Sequence, residues 1–209
     1  AGILQDIPKM IKLTDAVVKG TKLPVTVKTR LGWDEDTKNI VDVAERLQDI
    51  GVKAISIHGR TRKQLYKGDA DWTLIGEVKN NPRMHIPIFG NCDVDTPQKA
   101  LEMRQRYGVD GIMIGRAAIG YPWIFREVKH YFATGELLPP PTLEERVQAA
   151  RDHLNHAMAW KGTTLGILET RRHYTNYFRG LPNIKHYRMV LVTANNPQEI
   201  YDTLDQIAH

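Results

Sequence analysis

The sequence predicts a parallel α/β fold that is followed by a small helical bundle. Over residues 1–138, four short β-branched runs alternate with longer amphipathic stretches. The runs lie roughly thirty residues apart, which is the length of a βαβ unit. Over residues 139–209 the apolar positions repeat at helical spacing and form no convincing strand. Three consecutive prolines at 139–141 separate these two domains, because proline cannot continue a helix.

The four runs are apolar on both faces, as is typical of parallel strands in a sheet covered by helices. In chain order they cover residues 24–28, 54–58, 86–90 and 111–115. A complete barrel has eight such strands and usually takes about 250 residues. Four strands therefore fit either one half of a barrel or a small open sheet, and composition does not choose between the two.

Helix signals fill the intervals between the runs. A helix over residues 7–18 leads into the first strand, and Gly51 ends the helix before the second. The apolar residues of that second helix recur at helical spacing: Ile40, Val41, Ala44, Leu47 and Ile50. Further on, Thr96 is the expected N-cap, Pro97 the first helical residue and Gly108 the terminator.

The helical bundle begins with a capping box. Thr142 is the expected N-cap, and Glu145 stands at the position from which a side chain reaches back to it. The apolar stripe of this helix consists of Leu143, Val147, Leu154 and Met158.

Composition limits the classes of protein that fit. The 209 residues are 42% hydrophobic and 25% charged, as in ordinary globular domains. The single cysteine, Cys92, excludes an internal disulfide and favours a reducing cytoplasm. The sequence contains no apolar run of about 18 residues, so it predicts no membrane-spanning helix. The net charge of +5 permits a polyanionic partner without requiring one.

Polar residues follow each predicted strand at its carboxyl end, where parallel α/β folds place their sites. They are Lys28, His58, Asn91, Cys92, Asp93, Gly115 and Arg116. Each alone fits a surface or scaffold position at least as well as a site. Their occurrence at four successive strand ends favours a shared ligand site.

The last of these positions has the character of a phosphate-binding loop. Gly115 lets the backbone approach a ligand closely, and Arg116 adds a cation. The backbone N–H groups of Ala117 and Ala118 are further donors for an anion. A Gly-Arg pair is weak evidence by itself.

The motifs in these loops resemble successive signatures of the tRNA-dihydrouridine synthases, with the bacterial DusB-like branch as the best fit. They read VKTRLGW at 27–33, IHGRTR at 57–62, YKGDADW at 66–72, IFGNCD at 88–93 and GIMIGRAAIGYPWIF at 111–125. A weaker match follows at 171–174. The resemblance implies that the α/β part is the C-terminal half of a TIM (β/α)8 barrel.

The resemblance also implies the activity and the cofactor. Members reduce the C5=C6 bond of particular tRNA uridines with FMN, which NADPH recharges. By this resemblance Lys28 contacts the flavin ring, His58 approaches the phosphate region, and residues 91–93 and 115–116 bind the ribityl phosphate end. Two residues depart from the pattern: Cys92 stands where members usually have glycine, and Tyr121 where they usually have asparagine.

The family's catalytic acid is a cysteine in an Asn-Cys-Gly-Cys-Pro-like motif of the first half-barrel, and this motif does not occur in the sequence. Cys92 follows a different strand and is not expected to take that role. We therefore expect the chain to be a fragment that is inactive alone. A half-barrel has two bare sheet edges, so we expect it to pair with the missing N-terminal half or with a second copy.

Basic residues in the helical part indicate a tRNA-binding surface. Residues 171–188 contain Arg171, Arg172 and Arg179 and no acidic residue, and such cations engage phosphates. Tyr177 and Phe178 lie among them, and bundle core is the favoured interpretation for these rings. After the second strand, a further set is expected at the rim of the site, although a charged surface loop fits equally well: Arg60, Arg62 and Lys63.

Two other functions remain open at this stage. The first is another FMN- or phosphate-binding barrel oxidoreductase that acts on a small metabolite, which does not need the 171–188 cluster. The second is a non-catalytic RNA-binding module. Flavin absorbance of the purified protein separates the enzymes from the module, and tRNA binding separates the two enzymes.

Overall fold

The computed structural model describes residues 1–208, which form two compact units. The first is Ala1–Gly115, and the second comprises residues 116–208. This division precedes the helix Ile124–Thr134, whereas the boundary expected from sequence, between residues 138 and 139, follows it.

The first unit alternates helices and parallel strands, which confirms the predicted α/β class. Its elements are α1 (Ile7–Lys19), β1 (Thr26–Arg30), α2 (Ile40–Asp49), β2 (Ala54–His58), α3 (Thr73–Asn80), β3 (Ile88–Asn91), α4 (Pro97–Tyr107) and β4 (Gly111–Met113). The strands lie in the order β1-β2-β3-β4. Helix α4 begins as predicted, since the Thr96 side chain accepts a hydrogen bond from the Lys99 N–H, and it ends at Gly108 with a φ of 70°.

The two faces of this sheet differ because side chains alternate along each strand. One face carries Ile55, Ile57 and Ile88, all fully buried. The helices supply buried apolar partners for the first unit's core: Ile40, Val43, Leu47, Ile75 and Ala100. The opposite face, which we call the inner face, carries Lys28, Ser56 and Phe89 in register with Gly111. Lys28 is exposed there, so the inner face is not an apolar core.

Strand β1 lies two residues further along than predicted. It runs from Thr26 to Arg30, because the loops after β1 and β2 continue the pairing: Leu31 N donates to Arg60 O at 3.3 Å. As a result Lys28 lies in the middle of the strand beside Ser56, and Arg30 occupies the end of the strand beside His58.

The second unit is helical, as predicted. Its helices are α5 (Ile124–Thr134), α6 (Leu143–Lys161), α7 (Thr163–Tyr177), α8 (Ile184–Thr193) and α9 (Pro197–Ala208). The capping box of α6 is present, with Thr142 and Glu145 bonded reciprocally. Leu154, Phe178, Leu191 and Leu204 belong to its buried core. Across residues 1–208, none of the helices has both the length and the apolar character needed to cross a membrane.

Candidate functional site

Four residues at the carboxyl ends of the strands lie in register on the inner face, and we call them the upper layer. They are Arg30, His58, Asn91 and Met113. The Asn91 amide donates to the carbonyl of Met113 at 2.7 Å, which ties β3 to β4. Lys28 lies on the same face, one layer below. The sheet therefore brings the predicted residues Lys28, His58 and Asn91 together.

His58 is the least satisfied polar group of the upper layer. Its side chain is buried, with 4% of the residue exposed, and its Nε2 has no hydrogen-bond partner among residues 1–208. Burial, together with the positive charges of Arg30, Lys28 and Arg60, lowers the pKa of His58 to about 4. The ring is therefore neutral at pH 7. A buried polar atom without a partner costs about 1–3 kcal/mol, so the Nε2 of His58 is a candidate contact for a ligand.

Arg30 and Tyr66 frame this layer, and neither was among the predicted site residues. The Arg30 guanidinium donates to the carbonyls of Thr61 and Leu65 at 2.8 and 2.9 Å. The Tyr66 ring lies 5.7 Å from Arg30 Cζ and 6.1 Å from the His58 ring centroid. The signal for Arg30 was available, because it lies two residues after Lys28 and side chains alternate along a strand.

Arg60 is not the exposed rim cation that the sequence predicted. Only 2% of the residue is exposed, and its guanidinium donates to Asp93 at 2.6 and 3.1 Å. It also donates to the carbonyl of Gly68 and contacts Cys92 Sγ at 2.7 Å. Asp93 accepts in addition from the Ala70 N–H at 2.8 Å. The Arg60 guanidinium thus holds the loop after β2 to the loop after β3 and is not available to a phosphate on the surface.

The loop after β3 has a backbone that favours glycine. Cys92 has a φ of 105° and Asp93 a φ of 57°. Just before them, Gly90 leaves room for Trp72, since a Cβ there would lie 2.0 Å from that indole ring. The Trp72 Nε1–H donates to the Cys92 carbonyl at 3.2 Å. Cys92 therefore holds a conformation in which glycine, the usual family residue, would be less strained.

The other two cations of the loop after β2 differ from each other. Lys63 is exposed, but its ammonium pairs with Asp34 at 2.8 Å. The Arg62 side chain is half-buried and has no hydrogen-bond or carboxylate partner within the described part of the chain. Arg62 is thus the rim cation with the fewest competing contacts.

Gly115 and Arg116 lie on opposite sides of the division between the two units. Gly115 is exposed, and a Cβ added to it would meet nothing within 4 Å. The protein itself therefore does not require glycine at this position. Arg116 is exposed and begins a short 3-10 turn, Arg116–Ala118.

In the helical unit the three predicted arginines separate into two kinds. Arg171 donates to the carbonyls of Thr193 and Ala194 at 2.9 and 2.8 Å, which caps the end of α8. This bracing role corrects the expectation of a free phosphate ligand. Arg172 and Arg179 are exposed. The aromatic residues nearby belong to the buried core, as favoured from sequence: Tyr174, Tyr177 and Phe178.

The structure is an α/β fold with a cluster of cationic and polar side chains at the carboxyl ends of its parallel strands. The chain belongs to the dihydrouridine synthase family, whose family model, described as "Dihydrouridine synthase (Dus)", matches residues 1–209. Half of a barrel followed by helices is the corresponding fold. The resemblance found in the sequence motifs is thereby confirmed.

Several curated proteins are similar over most of the chain. A tRNA-dihydrouridine synthase B of Xanthomonas campestris pv. campestris is 40% identical over 198 residues, which are 95% of this chain and 59% of that protein. One of Pseudomonas aeruginosa is 40% identical over 188 residues, covering 90% and 56%. A probable tRNA-dihydrouridine synthase of Rickettsia conorii is 37% identical over 204 residues, covering 98% and 61%. The chain thus spans somewhat more than half the length of these relatives.

Proposed function

We propose that the protein reduces uridine to 5,6-dihydrouridine in tRNA, with FMN as cofactor and NADPH as reductant. The observation that carries the proposal is the upper layer, in which the buried Nε2 of His58 lacks a partner among residues 1–208 while three cations act on the ring. Family membership supports the reaction class.

The residues of the inner face fit FMN chemically. A phosphate dianion suits an electropositive surface, and Arg30, Lys28 and Arg60 each lower the pKa of His58, which indicates that the surface is electropositive. A neutral imidazole that lacks a partner offers one more polar contact. When bound, FMN would supply the hydride that reduces the C5=C6 bond of uridine.

Within this site we assign different work to different residues. Lys28 would place a fixed positive charge beside the flavin ring, where charge accumulates on reduction. His58 and Asn91 would bind the ribityl phosphate end. Gly115 and Arg116 would contribute an open backbone and a cation to the same phosphate.

Cys92 and Asp93 receive a supporting role in this proposal. Their side chains contact Arg60, and this contact fixes the loop after β3. Cys92 is also a poor candidate for the acid that protonates the uridine, because its thiol is buried against a guanidinium. A cysteine of the family's Asn-Cys-Gly-Cys-Pro-like motif would supply that proton.

For tRNA we assign the contacts to arginines that have no carboxylate partner within the described part of the chain. Arg62 lies in the loop after β2, while Arg172 and Arg179 belong to the helical part, 139–209, which we propose as the tRNA-binding domain. Lys63 can join them only by leaving Asp34. A uridine in folded tRNA is stacked, so the enzyme must extrude it before reduction.

The test is reduction of unmodified tRNA by the complete protein, with FMN and NADPH, followed by mass spectrometry of the nucleosides. The proposal predicts dihydrouridine in the tRNA and none without NADPH. If the protein binds flavin and consumes NADPH with a small metabolite but forms no dihydrouridine, the other oxidoreductase is favoured. Binding of tRNA without any flavin would favour the RNA-binding module.

A further inference from the structure

Trp160 is the most exposed of the large hydrophobic residues described in the second unit. It is 80% exposed and is the second-last residue of α6. The ammonium of the adjacent Lys161 lies 4.5 Å from the centroid of its ring. Across the turn to α7, Leu165 and Leu168 are exposed by 54% and 44%. Covering this indole with a partner would remove a large apolar surface from water, which is favourable.

Contacts place Trp160 on the same surface as Arg172 of α7 and Arg179, which follows that helix. Lys161, beside Trp160, forms an ion pair with Glu169. On a helix, residues three and four apart are neighbours, so Glu169 leads to Arg172, then to Asn176 and Arg179. Arg179 donates to the Asn176 side chain at 2.8 Å. We call this surface, from Trp160 along α7 to Arg179, the hairpin stripe.

The charge of the hairpin stripe fits a polyanion better than an apolar protein surface. Its acid, Glu169, is already neutralised by Lys161. The Arg172 guanidinium has no carboxylate hydrogen-bonded to it among residues 1–208, and its Nε–H lies 3.4 Å from His173 Nε2. The rings of His153 and His173 lie 4.8 Å apart beside it. The stripe thus combines an exposed aromatic ring with two arginines, Arg172 and Arg179, as in surfaces that bind single-stranded nucleic acid.

The stripe extends along most of α7. From Leu165 to the last residue of α7, twelve steps of about 1.5 Å give a length of about 18 Å. At that end Gly120 packs against Asn176, since a Cβ on Gly120 would lie 2.6 Å from Asn176 Cβ. The lower end of the stripe therefore lies against the segment around Gly120 of the same unit.

We propose that the hairpin stripe binds tRNA, with Trp160 stacking on an unpaired base and Arg172 binding a neighbouring phosphate. This inference rests on the proposed function for the identity of the RNA and adds a stacking contact to it. Trp160 fixes the position of one unpaired nucleotide along the helical unit, so it selects tRNAs that present a base there. Base stacking on an aromatic ring is sequence-tolerant, so the selection is by shape.

The experiment compares the affinity of unmodified tRNA for the complete protein and three variants. Stacking of one base contributes about 1–3 kcal/mol, so Trp160→Ala should weaken binding by about 5- to 150-fold. Trp160→Phe keeps an aromatic face and should lose much less. Leu137→Ala is the matched control, since Leu137 is an exposed apolar residue outside the stripe. The fluorescence of Trp160 is the emission that wild type has and Trp160→Phe lacks. Quenching of this emission by tRNA should report the contact directly.

The outcomes separate this inference from the proposed function. If wild type binds tRNA and Trp160→Ala binds it equally well, the stacking contact is overturned and the enzyme assignment stands. Wild type that does not bind tRNA at all overturns both. If wild type is a stable dimer that Trp160→Ala converts to a monomer, and the tRNA affinity is unchanged, the surface binds a second copy and the proposal is also overturned.

Discussion

Removing the Asp93 carboxylate should destabilise the first unit more than any other single charge deletion in its loops. Asp93→Ala leaves the Arg60 guanidinium buried without its anion, since the Arg60 side chain is 3% exposed. The guanidinium keeps its contact with the Gly68 carbonyl. The Ala70 N–H loses its acceptor as well.

The magnitude follows from burial. Breaking a fully buried ion pair by deleting one partner costs about 3–5 kcal/mol. The Asp93 side chain is 32% exposed, so water replaces part of the lost interaction, and we expect a loss of about 3 kcal/mol. For a chain of this size that lowers the melting temperature by roughly 6–12 °C.

The pH dependence of this loss has a definite sign. Burial raises the pKa of Asp93, but hydrogen bonds from Arg60 and Ala70 outweigh it and lower the pKa overall. A carboxyl whose pKa is depressed on folding stabilises the protein above its unfolded pKa, about 3.9. The difference between wild type and Asp93→Ala should therefore be constant near neutral pH and shrink as the pH falls below about 4.

The assay is urea unfolding followed by circular dichroism, with Asp69→Ala as control. Asp69 is an exposed aspartate in the loop after β2, so its removal should change the free energy of unfolding by less than about 0.5 kcal/mol. Equal stability of Asp93→Ala and Asp69→Ala would refute the idea that the buried pair holds the two loops together.

Substitutions at four further positions test other parts of the structure. Arg171→Ala should lower the free energy of unfolding by about 2 kcal/mol through its lost bonds to α8 and leave the salt dependence of tRNA binding unchanged. Arg172→Ala should instead flatten that dependence by about one unit of log K per log salt. Equal salt slopes for the two variants would contradict the assignment of Arg171 to bracing and Arg172 to phosphate binding. Cys92→Gly should be about 1–2 kcal/mol more stable than Cys92→Ala because only glycine relaxes the φ of 105°, and equal melting temperatures would remove the strain argument. Because the pKa of His58 is lowered to about 4 in the folded protein, the free energy of unfolding should decrease as the pH falls from 6.5 toward 4. His58→Gln should flatten this pH dependence. An unchanged dependence would mean that His58 is protonated in the folded protein over this pH range.

Local signals in the sequence predicted the elements well. Thr96 with Pro97, and Thr142 with Glu145, mark helix starts through contacts made within four residues, and both caps are present. Strand ends were less accurate. The position of Arg30 at the end of β1 depends on pairing with the loop after β2, which is about thirty residues away in sequence.

The distinction between binding and structural cations could not be made from sequence. Arg60 and Arg171 look like their neighbours Arg62 and Arg172 in composition and spacing. What separates them is the partner, a carboxylate in the loop after β3 for Arg60 and carbonyls at the end of α8 for Arg171. These partners lie more than twenty residues away, so only the fold identifies them.

The most direct test of the account is to neutralise Lys28 in the complete protein and measure the rate of dihydrouridine formation in tRNA. Lys28→Met should keep the fold, because Lys28 is exposed, and should slow the reaction about 10²- to 10³-fold through the lost charge beside the flavin. Lys53→Met is the control, since Lys53 is exposed and precedes β2 at the opposite end of the sheet. Equal rates for Lys28→Met, Lys53→Met and wild type would contradict the placement of the reaction on the inner face.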